Sequence, residues 1–156
     1  MGKTSFGYDL KGVRIPPECK TACVLYFQNH APLIQPMLSR DITEKLRDKI
    51  LSQTPLKLTN ANGDVNFEGA IESYTTQPMA PQGGNTITAA LNRLSITIQV
   101  KYTNSKDSQW DYDTKFTRYI DYESEKNLND IEGSDKYKEM LDLLVQDMFD
   151  KAFVNW

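Results

Sequence analysis

In the stretch LNRLSITIQVKYT, residues 91–103, apolar and polar side chains alternate without interruption from Leu94 onward. A period of two places the two kinds of side chain on opposite faces of a β-strand, so that one face is buried and the other is wet. The apolar positions are Leu94, Ile96, Ile98, Val100 and Tyr102, and the polar positions are Ser95, Thr97, Gln99, Lys101 and Thr103. The pattern predicts an antiparallel strand.

A second alternating segment follows directly and predicts the partner of this strand. Residues 104–109 are rich in turn formers, and the aromatic residues Trp110, Tyr112 and Phe116 then alternate with charged residues. A long β-hairpin over residues 91–120 is therefore expected, with most of its aromatic residues in the core. Tyr119 falls on the opposite face, where it is available to a partner.

The first part of the chain predicts shorter elements. A strand is expected over 22–28 and an amphipathic helix over 38–50, where apolar residues recur every four positions. A short strand over 56–59, a tight turn at Asn62-Gly63 and a strand over 65–76 follow. The segment 78–85 is predicted to be a loop, because it contains two prolines and Gly83-Gly84.

The pattern at the end of the chain predicts a second helix, with a wide apolar face that packs against the rest of the protein. Ser134 and Asp135 are N-cap candidates, and apolar residues recur at three- and four-residue spacing from Tyr137 to Phe153. We therefore expect an α+β fold in one domain over residues 1–156, with 1–6 as an added or flexible tail. The expected sheet is mixed and mainly antiparallel, with about four strands and two α-helices packed on one face.

Composition excludes several functions. The 18 basic and 21 acidic residues give a net charge of −3, which argues against a dedicated nucleic-acid binder. The longest apolar run, residues 22–27, is far shorter than the roughly 20 residues of a membrane helix. His30 is the one histidine, and no catalytic or phosphate-binding motif is complete. We therefore predict a protein without enzymatic activity, cofactor or metal.

The two cysteines, Cys19 and Cys23, favour free structural thiols over a disulfide. If the chain between them is extended, the four-residue separation holds their Cα atoms too far apart for a disulfide bond. A redox pair would favour a C-x-x-C spacing at the start of a helix.

Several segments in order resemble one family. The runs are Ile15-Pro16-Pro17, Lys20-Thr21, 26–33 (YFQNHAPL), Asn62-Gly63-Asp64, Phe67-Glu68-Gly69, 89–98 (AALNRLSITI) and 144–156 (LVQDMFDKAFVNW). Together they resemble the LptE-like lipopolysaccharide-assembly lipoproteins of Bacteroidetes-type bacteria from about residue 7 onward.

The resemblance implies a role, a partner and a location. It implies a non-enzymatic outer-membrane assembly factor that sits as a plug inside the LptD-type β-barrel and assists lipopolysaccharide transport to the outer leaflet. It also implies lipid anchoring at an N-terminal cysteine on the periplasmic side of the outer membrane. This sequence differs from the family pattern at this point, because no cysteine near residue 1 lies in a lipidation context. We expect the native gene to encode a leader and an anchor cysteine.

The resemblance directs attention to polar and basic residues of the predicted hairpin. Candidate contacts for lipopolysaccharide phosphates are Arg93, Lys101, Lys115 and Arg118, because cations form charge-assisted hydrogen bonds to phosphate. Candidate residues of a barrel-facing surface are Thr97, Gln99 and Tyr119. The charge is uneven, at +3 over residues 1–104 and −6 over 105–156, which favours the first part for phosphate binding.

Other interpretations stay open. Each of these residues can also belong to an ordinary solvated sheet face. The alternative function is a freestanding periplasmic small-ligand binding module, or a small hydrolase, that uses the sheet face or the 78–89 loop. Such a module would need a concave pocket with convergent polar groups.

Overall fold

A long antiparallel hairpin forms one half of the sheet in the computed structural model, which describes residues 12–32, 35–80 and 90–154. Its strands are β5 (Leu91–Asn104) and β6 (Tyr112–Glu123), and a short 3₁₀ turn at Ser108–Trp110 lies between them. The other strands are β1 (Thr21–Val24), β2 (Gln28–Asn29), β3 (Lys57–Thr59) and β4 (Val65–Met79), and the helices are α1 (Leu38–Gln53), α2 (Leu128–Glu132) and α3 (Asp135–Phe153).

The sheet is mixed, as predicted. Its order is β3-β1-β4-β5-β6, and β2 continues beside β4. β1 is parallel to β3 and to β4, whereas β4, β5 and β6 are antiparallel to one another. The chain passes through α1 between β1 and β3, so the first helix is the predicted crossover between parallel strands.

Details of the prediction are wrong at several elements. The described residues form six strands and three helices rather than about four strands and two helices. The predicted strand over 22–28 is divided into β1 and β2, and α2 was not predicted. β4 continues to Met79, so the predicted loop over 78–85 begins later, and its residues 81–85 lie outside the described part of the chain. The proposed tail, residues 1–6, also lies outside it.

The core lies between one face of the sheet and the helices. The apolar residues of the alternating pattern in β5 are all buried, and so are the apolar residues of α1 and α3 that recur at helical spacing. Aromatic rings from three strands and α3 meet at one end, with ring centroids 4.8 Å apart for Phe67 and Tyr102 and 5.7 Å apart for Tyr102 and Phe153. Within the described helices, none has the length and apolar character needed to cross a bilayer.

Both cysteines are free, as predicted, and both are buried. Cys19 donates a weak hydrogen bond from Sγ to Asn104 Oδ1 at 3.5 Å. Burial raises the pKa of the Cys19 thiol to about 11. A thiol with so high a pKa is a poor nucleophile at neutral pH.

The link between β3 and β4 crosses β1 at very close range. β3 and β4 both pair with β1, so residues 60–64 must pass from one side of β1 to the other. A Cβ atom on Gly63 would lie 2.7 Å from the backbone nitrogen of Cys23 and 2.9 Å from the carbonyl carbon of Ala22. The crossing therefore requires glycine at this position.

We expect Gly63→Ala to lower the free energy of unfolding by about 1–3 kcal/mol, because the added methyl group meets backbone atoms that cannot rotate away. Urea titration followed by circular dichroism measures this change. Gly133→Ala is the matched control, since its Cβ would come no closer than 3.8 Å to another atom. Equal stabilities of the two variants would contradict the proposed crossing.

Candidate functional site

One face of the sheet is covered by none of the described elements. It consists of the side chains of β4, β5 and β6 that point away from the helices, and we call it the open face. Its members are Asn66, Glu68, Ala70, Glu72, Ser73, Thr75, Gln77 and Met79 on β4, the odd-numbered residues 91–103 on β5 and the odd-numbered residues 113–123 on β6.

The centre of the open face carries small hydroxyl side chains. Ser73, Thr97 and Thr117 lie directly opposite one another on the three strands, and Thr75 and Ser95 form the next pair. The Oγ1 atoms of Thr97 and Thr117 are 2.8 Å apart and share a hydrogen bond. Because these side chains are short and polar, the centre is a surface that a partner can approach closely.

An ion pair and an aromatic ring lie toward one end of the open face. Arg93 donates from Nε to Asp121 Oδ1 at 2.8 Å and from Nη2 to Asp121 Oδ2 at 3.0 Å. The Arg93 guanidinium also lies 3.7 Å from the centre of the Tyr119 ring, which is 53% exposed. Hydrogen bonds from Arg93 hold the pKa of Asp121 below its ordinary value, and Asp121 raises the pKa of Arg93.

One ion pair and one hydrogen bond to a carboxylate lie at the other end. Lys115 Nζ lies 2.9 Å from Glu72 Oε1, and the Gln99 amide donates to the Asp113 carboxylate. Glu72 reaches the open face because a β-bulge interrupts the pairing with β5 between Ile71 and Ser73.

Lys101 differs from the other cations of this face. It stands opposite Glu68 and Asp113 in the register but forms no salt bridge within 4 Å among the described residues. It also borders a surface hollow of about 380 Å³ whose lining includes Leu25, Asn66, Thr103 and Glu68. Among the described residues, Lys101 is therefore the cation of this face without a salt-bridge partner.

The structure separates one of the predicted residues from the rest. Arg93, Thr97, Gln99, Lys101, Lys115 and Tyr119 all lie on the open face. Arg118 lies on the helix side, opposite the buried Ile96, and forms two hydrogen bonds of 2.9 Å to Asp147 of α3. This pair raises the pKa of Arg118.

Sequence reasoning missed the acidic partners of the predicted cations. Asp121 and Glu72 become partners only through cross-strand register, and Glu72 additionally requires the bulge. A signal was present for Asp121, because continuing the hairpin at its predicted alternation places Asp121 opposite Arg93. No comparable signal marks the bulge.

The described residues contain no cluster of histidine, cysteine and acidic side chains that could form a metal site. His30 is exposed, and no group of three metal-ligating side chains occurs in the described segments. The part of the loop considered as a ligand site, residues 81–89, lies outside the description. Among the described residues, the open face thus carries all the predicted site residues except Arg118.

The architecture defines an α+β domain with helices on one side of a mixed sheet and a polar face on the other. Its sequence matches the family described as LptE, lipopolysaccharide-assembly, over residues 20–152. The chain belongs to this family, as the resemblance predicted. A comparison with curated proteins gives no match.

Solved structures share the fold. An uncharacterized lipoprotein B from Nitrosomonas europaea is 15% identical, with a TM-score of 0.52 over 92% of this chain and 88% of that one. A minor lipoprotein from Acinetobacter baumannii is 14% identical, with a TM-score of 0.50 over 85% and 91%. A hypothetical protein from Chlamydia trachomatis is 10% identical, with a TM-score of 0.51 over 86% and 93%.

We expect Asp121→Asn to lower the free energy of unfolding at pH 7 by up to about 1 kcal/mol, because it removes the charge partner of Arg93. The pKa of Asp121 is lowered by folding, so its contribution is present above pH 4 and is lost as the pH falls through the folded pKa. Denaturant titrations at pH 7 and pH 3 measure the difference.

Glu123→Gln is the control for this experiment, since Glu123 is exposed and has no salt bridge within the described segments. It should change the stability by less than about 0.5 kcal/mol at either pH. If the Asp121→Asn variant is as stable as the parent at pH 7, the Arg93–Asp121 pair contributes nothing to the free energy of unfolding.

Proposed function

We propose that this chain is a non-enzymatic assembly factor that docks its open face against the inner wall of an LptD-type outer-membrane β-barrel. In this role it acts as plug and chaperone in lipopolysaccharide transport to the outer leaflet. The observation that carries the proposal is the open face itself, a polar surface across three strands in a member of the lipopolysaccharide-assembly family.

The polar side chains of the open face are suited to contact with the polar inner wall of a β-barrel. The lumen of a large outer-membrane barrel is polar, so a plug needs polar side chains outside and its own apolar core inside. The helix side already has that core. On the open face, Arg93 and Lys115 are paired with acids of this chain, so docking would not bury these charges without a partner.

The proposed location is the periplasmic side of the outer membrane, with a lipid anchor at an N-terminal cysteine in the native form. The family match supports it, and so do the names of two proteins that share the fold, which are lipoproteins. The lipid provides the membrane attachment, and the open face provides the contact with the barrel.

A substitution in the centre of the open face tests the docking. We expect Thr97→Arg to reduce the amount of barrel protein retained by the tagged full-length protein from native membranes in mild detergent. The long cation replaces a small hydroxyl where the partner must approach closely. Quantitative mass spectrometry of the retained proteins measures the change.

Ser52→Arg is the matched control, because Ser52 is exposed at the end of α1 on the helix side. It should retain the barrel as the parent does, and thermal unfolding should show that both variants are folded. If the parent retains no barrel protein, the plug function fails and a freestanding binding module becomes the better interpretation. If only Ser52→Arg loses the barrel, docking occurs through the helices.

Direct contact with lipopolysaccharide forms a second part of the proposal. Among the predicted cations, Arg93, Lys115 and Arg118 already have carboxylate partners, whereas Lys101 has none in the described segments and borders the hollow beside Leu25. We therefore place the principal phosphate contact at Lys101. The apolar part of the same hollow is suited to contact with part of a lipid.

We expect Lys101→Ala to weaken lipopolysaccharide binding about tenfold, the effect of losing one hydrogen bond to a charged group. Lys115→Ala is the matched control, because its ammonium group is held by Glu72, and it should change the affinity by less than twofold. Titration of the purified chain with fluorescent lipopolysaccharide measures both. Equal losses in the two variants would contradict a special role of Lys101.

A further inference from the structure

The crossing between β3 and β4 contains Asn62-Gly63, the one Asn-Gly pair in the sequence. In such a pair the main-chain nitrogen of glycine can attack the side-chain carbonyl carbon of asparagine, because glycine has no side chain to hinder the approach. Gly63 N loses its proton and bonds to Asn62 Cγ, the bond from Cγ to Nδ2 breaks, and ammonia leaves with that proton. Water then opens the succinimide ring to aspartate or isoaspartate. Asn62 is exposed, so water reaches its carboxamide group.

The side chain of Asn66 holds the main chain on both sides of Gly63. Its Oδ1 accepts a hydrogen bond from Gly63 N–H at 3.0 Å, and its Nδ2 donates to Gly63 O at 2.8 Å. We call these two hydrogen bonds the Asn66 clamp. The proton of the attacking nitrogen is thus held by an amide oxygen, which accepts a hydrogen bond but does not act as a base.

The backbone of Asn62 must rotate before the ring can close. Asn62 has a φ of 49°, in the left-handed region, where ψ is usually near about +47°. The nitrogen of Gly63 reaches Asn62 Cγ only at a ψ far from this value. The rotation turns the peptide group that carries the Gly63 N–H, so it breaks the hydrogen bond to Asn66.

The residues on either side of this peptide group leave little room for the rotation. Gly63 is buried against the main chain of Ala22 and Cys23. The next residue, Asp64, donates its N–H to Thr21 Oγ1 at 2.9 Å and accepts at Oδ2 from the main-chain N–H of Lys20 at 2.7 Å. The peptide group therefore turns only when the crossing opens locally.

Deamidation would change the surface hollow beside Lys101. Asn62 and Asn66 both belong to the lining of this hollow. Aspartate or isoaspartate at position 62 would add a carboxylate there. Isoaspartate would also lengthen the main chain by a methylene group where it passes closest to β1.

We propose that Asn62 is a deamidation site and that Asn66 is a positioning residue, which suppresses the reaction in the folded chain by holding Gly63. The reaction proceeds when the Asn66 clamp opens. It involves the crossing alone and does not depend on the proposed docking of the open face.

The rate of deamidation at Asn62 tests this assignment. Peptide mass spectrometry after incubation in mildly alkaline buffer measures the converted fraction, both in the folded chain and in urea. We expect the folded parent to react more than about tenfold more slowly than the parent in urea. Folded Asn66→Ala should react several-fold faster than the folded parent, because it lacks both hydrogen bonds of the clamp. In urea the two chains should react equally.

Two controls separate the clamp from a general loss of stability. Ile98→Val removes part of a buried side chain of β5 and leaves the clamp intact, and Asn129→Ala makes the same substitution at an exposed position of α2. Both should leave the rate at Asn62 unchanged, and circular dichroism should show that the variants are folded. If Asn66→Ala does not fold, Asn66→Leu provides the same test, because it keeps a similar shape without the polar atoms.

Two results would overturn the proposal. One is an equal rate at Asn62 in the folded parent and in urea, which would show that folding gives no protection. The other is a folded Asn66→Ala or Asn66→Leu chain that reacts no faster than the parent, which would show that the clamp is not the source of the protection.

Discussion

The pairing of β5 with β4 on one side and β6 on the other is the constraint on which the rest of the structure depends. Residues opposite each other in antiparallel strands point to the same face, so this pairing joins three alternating sequences into one apolar and one polar surface. Phe67, Tyr102 and Tyr112 occupy one such row and bring their rings into contact. A slip of one residue would turn every side chain of the slipped strand to the opposite face.

Charged side chains are arranged differently on the two faces of the sheet. On the helix side, Arg118 is held by Asp147 of α3, and the pair closes the border of the core at the last strand. On the open face, Arg93 pairs with Asp121 across the neighbouring strands β5 and β6, and Lys115 of β6 reaches Glu72 of β4 across β5. The two ion pairs flank a centre of small hydroxyl groups. This arrangement gives the proposed docking surface a polar character. Among the described residues, Lys101 is its cation without a salt-bridge partner, and Glu68 and Glu123 are carboxylates without one.

The sequence predicts the long elements of this fold well and the short ones poorly. The patterns of β5, β6, α1 and α3 cover enough residues for the period of two or 3.6 to be distinguished. β2 has two residues and α2 has five, so neither contains a complete pattern. Predicted surface positions such as Thr97 and Tyr119 follow from alternation alone. The pairing of Lys115 with Glu72 does not, because it depends on a bulge in another strand.

Photo-crosslinking from residue 97 in native membranes tests whether the open face is the surface that meets the barrel. Residue 52 on the helix side serves as the comparison position. We expect a photoreactive amino acid at position 97 to crosslink to an LptD-type barrel protein and one at position 52 not to do so. A crosslink to the barrel from position 52 alone would show that the helix side, and not the open face, meets the barrel.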